Sequence, residues 1–230
     1  MVYWKILTFF LCVAFSTNAV SNESRYIGIA KDETGAILYK ERHTLYKENG
    51  ILKSSETAYF LPDGSKKIAT LKSDYSKSLA LPTYQFIDLV RGYKEGIKFE
   101  DGAYFAYYQK KGAPEEKSPI EKGDMVFGGQ GWHYYLTENF ETLEKDKVEL
   151  KLVLPGLLKK YDFVITKTKE SKARLTSDFK IDNWLISLFA PKMRLTYDRQ
   201  TRNLVQYQGI SNILDKDGEK QEVVIRYEYI

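Results

Sequence analysis

The feature that most narrows the folds open to this chain is an alternation of apolar and charged residues with a period of two. In Lys147 to Leu154 (KVELKLVL), Val148, Leu150, Leu152 and Leu154 fall on one side, and Lys147, Glu149 and Lys151 on the other, with Val153 the exception. Successive side chains of a β-strand point to opposite faces, so this pattern describes a strand with one face buried and one in water. Val223 to Tyr229 repeats it, with Val223, Ile225, Tyr227 and Tyr229 inward. Met193, Leu195 and Tyr197 alternate with Arg194 and Thr196. Strand signals recur from Tyr26 to the end, about ten in all.

The turns agree with the strands. Asp63-Gly64 lies between two β-like runs and is a hairpin cue. Arg91-Gly92, Glu95-Gly96, Asp101-Gly102 and Asp217-Gly218 mark further reversals, and Tyr84 to Gln109 reads as a meander. Lys110 to Lys122, charged and with two prolines, reads as an exposed loop. Two segments break the β pattern. Gly128 to Leu143 places Trp132, Tyr135, Leu136, Phe140 and Leu143 on one helical stripe, which predicts a helix over 130–143. Asp182 to Phe189 begins with a capping Asp or Asn and stops before Pro191, which predicts a helix over 183–189. The expected fold is mainly β: one curved antiparallel sheet, a half-barrel or open barrel, with these two short helices on its concave face.

The first residues differ from the rest. Lys5 precedes an apolar run, Ile6 to Phe15, and small residues with Ala19 follow, the three-part pattern of a cleavable export signal. The run is too short for a bilayer-spanning helix. The expected organisation is therefore a signal peptide over 1–19 and a single exported β domain over 20–230, with no stable membrane span after processing. Cleavage there removes Cys12, the only cysteine. An exported chain without cysteine gains nothing from an oxidising compartment, which suits a bacterial periplasm. The composition, 43% hydrophobic and 29% charged, is that of an ordinary globular protein, and a net charge of +4 is too mild to indicate nucleic acid.

Catalytic signatures are sparse. The two histidines, His43 and His133, are far apart in sequence, and neither shows metal-ligand spacing. No Gly-x-Ser-x-Gly elbow, His-Glu-x-x-His or P-loop is present, so no cofactor and no metal is expected. Gly129, Gln130 and Gly131 stand where a helix begins, and bare backbone N–H groups there could hold an anion. Close packing of the helix start is the competing reading. The one compositional excess is tyrosine, 18 in 230 residues. Aromatics occupy both faces of Ala103 to Gln109, so Tyr104, Phe105 and Tyr107 are candidates for lining an apolar cavity. Tyrosine also fills outer strand positions readily, and that reading stands beside the first.

Leu195-Thr196-Tyr197-Asp198, Thr201-Arg202, Tyr207 and Gly209 to Ile213 resemble the C-terminal third of uncharacterised exported bacterial β-rich proteins. The order of elements is similar in turn to the half-barrels of lipoprotein carriers, in which a curved sheet holds acyl chains under a helical lid. That resemblance implies a cavity and carries over no site residue. The function expected is non-catalytic: binding or escorting a lipid, acyl chain or other hydrophobic small molecule in the cell envelope, against Tyr104, Phe105, Tyr107, Trp132, Tyr135, Trp184 and Phe189. The alternatives are an envelope interaction module using sheet edges, and a hydrolase of envelope polymers using carboxylates such as Asp88 or Asp198.

Overall fold

A computed structural model describes residues 21–145, 147–182 and 193–230. The strands are β1 (Ser21–Lys31), β2 (Ile37–Glu48), β3 (Ile51–Phe60), β4 (Lys67–Asp74), β5 (Thr83–Asp88), β6 (Tyr93–Glu100), β7 (Ala103–Gln109) and β8 (Glu116–Ile120), then β9 (Val126–Gly128) and β10 (Lys147–Leu154). They continue with β11 (Lys159–Glu170), β12 (Arg174–Ile181), β13 (Met193–Asp198), β14 (Leu204–Ile210) and β15 (Glu222–Tyr229). All fifteen belong to one sheet, more than the ten or so read from the sequence. One of the additions, β8, falls inside the stretch read as a loop. Its alternation is hidden by Lys117 and Pro119 on an edge strand.

β1 and β15 pair at the centre, with Tyr26 opposite Tyr229. From that pair the sheet meanders outward, to β8 on one side and to β9 on the other. Every neighbouring pair is antiparallel except β9 with β10. The sheet curls without closing. In place of a β8–β9 ladder, the Gly128 N–H donates to the Ala80 carbonyl at 3.0 Å, and a 3₁₀ turn at Pro155–Leu157 packs on β6 and β7.

Aspartates fasten the reversals. Asp32, Asp63, Asp74, Asp88, Asp198 and Asp215 each accept, on a side-chain oxygen, the backbone N–H two residues further on. This Asx-turn geometry mimics a backbone turn. The same hydrogen bonds, with those from neighbouring hydroxyls, hold the carboxyls of Asp32, Asp63, Asp74, Asp198 and Asp215 below their ordinary range.

One α-helix, α1 (Gly131–Glu138), is found among the described residues, followed by a 3₁₀ turn at Phe140–Thr142. Of the two helices expected on the concave face, this is the one that falls within the described residues, and it is shorter than expected. The expected helix over 130–143 stops early because Asn139 leaves helical geometry, its side-chain amide and backbone N–H both donating to the Tyr135 carbonyl. Residues 183–189, where the second helix was expected, lie outside the described residues, and with them Trp184 and Phe189. α1 does not roof an empty trough. Leu136 is fully buried and Trp132 stacks on Phe179 of β12, while Tyr134 packs edge-on against Tyr75 beyond β4. The helix therefore touches both halves of the curled sheet, and the space in which a carrier-type fold would hold an acyl chain is filled by its side chains.

Candidate functional site

The polar centre of the molecule lies on β2. Glu41 and His43 are two positions apart, so both point inward. His43 Nε2–H donates to Glu41 Oε2 at 2.8 Å, which leaves Nδ1 to accept the Thr57 hydroxyl of β3 at 2.9 Å. All three are buried, with relative exposures of 5%, 4% and 2% for Glu41, His43 and Thr57. Room for this pair comes from β1. Gly28 is the register partner of both Glu41 and Tyr227, and a Cβ on it would lie 2.8 Å from Glu41 Oε2 and 2.9 Å from the Tyr227 ring. Burial, and then the charge of Glu41, push the phenols of Tyr39, Tyr59, Tyr207 and Tyr227 upward. These tyrosines remain neutral hydrogen-bonding groups at any physiological pH.

Tyr26 connects this centre to the surface. Its ring stacks on His43 at 4.1 Å and 7°, and on Tyr229 at 4.8 Å. The outer side of Tyr26 borders a crevice of about 210 Å³ at the end of the sheet where β1 begins and β15 ends. Leu45, Leu52, Tyr26 and Tyr229 give it apolar walls. Lys47 and Arg202 supply two cations and Glu138 one acid, and neither cation has an ion-pair partner among the described residues. Arg202 adopts a left-handed φ of 61° that closes the β13–β14 turn. His133 also borders the crevice, and its Nδ1 lies 3.2 Å from the Tyr197 hydroxyl. Burial, and then the proximity of His43, lower its pKa to about 4, so the ring is neutral. His133 also packs against Tyr134, whose hydroxyl lies 3.4 Å from that of Tyr26, the ring stacked on His43.

The residues singled out in the sequence fall in other places. Tyr104 is buried in the core of the β1–β8 half, edge-on to Phe99 at 4.9 Å. Phe105 and Tyr107 lie on the opposite face of β7, under the ammonium groups of Lys117 and Lys98 at 4.9 and 5.2 Å. Trp132 and Tyr135 belong to the core of the other half, Tyr135 against Phe127 at 5.1 Å. The structure does not gather these side chains around one space. The room left by the glycines is occupied by protein: a Cβ on Gly129 would lie 2.9 Å from the Tyr84 ring, and one on Gly131 would lie 2.3 Å from the Ala80 carbonyl. Gln130, between them, precedes α1 without a side-chain capping bond. Asp88 and Asp198 fasten turns at opposite ends of the strands.

Glu41, buried against His43, is a polar core residue that local pattern did not single out. The signal was available: an acid and a histidine at i and i+2 share a face only if the segment is a strand.

No protein-family model matches this chain, and no curated protein matches it. Among solved structures, a β-barrel-like protein of the domain of unknown function DUF1849 from Brucella abortus is similar over 90% of this chain and 94% of its own, with 8% sequence identity and a TM-score of 0.42.

Proposed function

We propose that this chain is an exported, non-catalytic binding protein of the cell envelope that holds a small amphipathic anion in the crevice beside Tyr26. The observation that carries the reading is the combination of apolar walls with Lys47 and Arg202, two cations without a carboxylate partner among the described residues. An apolar body would lie on Leu45, Leu52 and the tyrosine rings, gaining about 0.8 kcal/mol for each methylene fully buried. A carboxylate or phosphate would meet the two cations. The size of the crevice narrows the earlier expectation of a whole lipid. About 210 Å³ is below the roughly 300–1,000 Å³ of sites for drug-sized ligands. A single short acyl chain suits it better than a diacyl lipid. Export rests on the three-part pattern of residues 1–19.

Titration calorimetry with octanoate, octanol and octylamine tests the reading. Octanoate is expected to bind most tightly, and Lys47→Glu with Arg202→Glu to weaken it more than tenfold. Equal affinity for the three amphiphiles, or octanoate binding untouched by the double substitution, would refute it.

The interaction-module reading has less support. The edge strand β8 carries Glu116, Lys117 and Pro119, and the edge strand β9 is three buried residues long. Charge, proline and shortness are the devices that discourage edge-to-edge pairing.

A further inference from the structure

At the opposite end of the strands from the crevice, two turns bring large apolar side chains into water. Leu89 and Val90 occupy the β5–β6 turn and are 51% and 59% exposed. Leu157, in the Pro155–Leu157 turn, is 56% exposed. These turns are fastened together. The Gly156 N–H and the Tyr93 hydroxyl both donate to Glu95 of β6, which ties the Pro155–Leu157 turn to the strand that follows Leu89 and Val90. Gly92, closing the β5–β6 turn, lies against the aliphatic stem of Lys111 in the β7–β8 turn. The turns that carry the apolar tips are therefore both held to β6, at one end of the strands.

Their surroundings are basic. Lys94, Lys110, Lys111 and Lys159 are exposed and have no ion-pair partner among the described residues. Asp88 of the same turn is buried and paired with Arg91. The acids Asp215, Asp217 and Glu219 stand on the neighbouring β14–β15 loop beside Lys216 and Lys220. Apolar tips on turns flanked by unpaired lysines match a bilayer interface carrying anionic headgroups: the tips enter the acyl boundary and the ammonium groups remain at headgroup level.

We infer that this end of the sheet docks on an anionic lipid surface through Leu89, Val90 and Leu157, with Lys94, Lys110, Lys111 and Lys159 around them. The crevice beside Tyr26 then faces away from the lipid, and the docking is independent of what the crevice binds.

A probe at one position tests this in the full chain. Cys12→Ser removes the only cysteine, and Val90→Cys then takes an environment-sensitive fluorophore. With vesicles containing phosphatidylglycerol, the emission is expected to shift to the blue and to be quenched by nitroxide-labelled lipid. Vesicles of phosphatidylcholine alone should give a much weaker response. A probe at Ile51→Cys, at the other end, should stay unshifted. Lys110→Gln with Lys111→Gln should lower vesicle partitioning about fivefold for each charge removed, corresponding to ~1 kcal/mol per lysine at a charged membrane surface. Three results would overturn the inference. The first is sedimentation with anionic vesicles while the probe at 90 stays unquenched, since another segment then makes the contact. The second is an equal response at 51. The third is a shift without vesicles that grows with protein concentration, since a second copy then covers the patch.

Discussion

Replacing His43 with leucine should be among the most damaging single changes in this protein, and removing Glu41 as well should repair much of the damage. Glu41 and His43 face each other at 2.8 Å with almost no solvent contact. His43→Leu leaves the carboxylate buried against Gly28, Tyr227 and Tyr39 without its donor, and breaking a buried pair from one side costs about 3–5 kcal/mol. That is a large share of a domain stability of roughly 5–15 kcal/mol. Glu41→Leu leaves only a neutral imidazole N–H unsatisfied, at about 1–3 kcal/mol. With both replaced, no ionisable group of the pair remains, and the pocket becomes apolar. The double variant should then be more stable than His43→Leu alone, falling short of the summed single costs by about 2 kcal/mol or more. Urea unfolding of the four proteins, followed by fluorescence and far-ultraviolet circular dichroism, yields the cycle, and unchanged slopes confirm that only stability moved. A cost below about 1 kcal/mol for His43→Leu, or single costs that simply add, would show that the pair is not what organises the interior.

Three further outcomes follow from the same structure. His133 has a folded pKa of about 4 against 6.5 unfolded, so below pH 6.5 the unfolded chain takes up a proton that the folded one refuses. Stability should therefore fall as pH drops from 6.5 toward 4, by at most roughly 2.5 kcal/mol at pH 4.5 because the ring borders a crevice. Unfolding curves of wild type and His133→Gln at pH 7.5 and 4.5 should differ by that increment. Gly96→Ala should loosen the β5–β6 pairing, because the new Cβ would fall 1.9 Å from the Tyr84 carbonyl oxygen. Hydrogen exchange should show selective loss of protection in β5 to β7. Leu136→Ala, at a fully buried position of α1, should cost about 2–5 kcal/mol, and a melting temperature that hardly moves would show that the helix does not fill the interior.

Much of the sheet was legible from local pattern. The strands Lys147–Leu154, Met193–Asp198 and Glu222–Tyr229 and the hairpin at Asp63-Gly64 appear where alternation and turn chemistry place them. Local pattern failed where a partner decides the outcome. β8 is a strand because β7 pairs with it, although Pro119 and its charges read as a loop. The stripe in 130–143 suggested a helix laid on the concave face of the sheet, yet α1 packs against both halves, and its aromatic load, which looked like a lining for a ligand, serves as core.

The sequence by itself determined that this chain forms strands, where several of them reverse, and that it is poor in recognisable catalytic groups. Those properties depend on neighbours within a few positions, through side-chain alternation and aspartate-fastened turns. Only the tertiary structure decided that Glu41, His43 and Thr57 share a buried seam beside Gly28, that His133 reaches Tyr197 from α1, and that the turns carrying Leu89, Val90 and Leu157 stand at one end of the strands. These groupings join residues from separate strands and turns. The curl of the sheet and its register bring them together, and no local period records either.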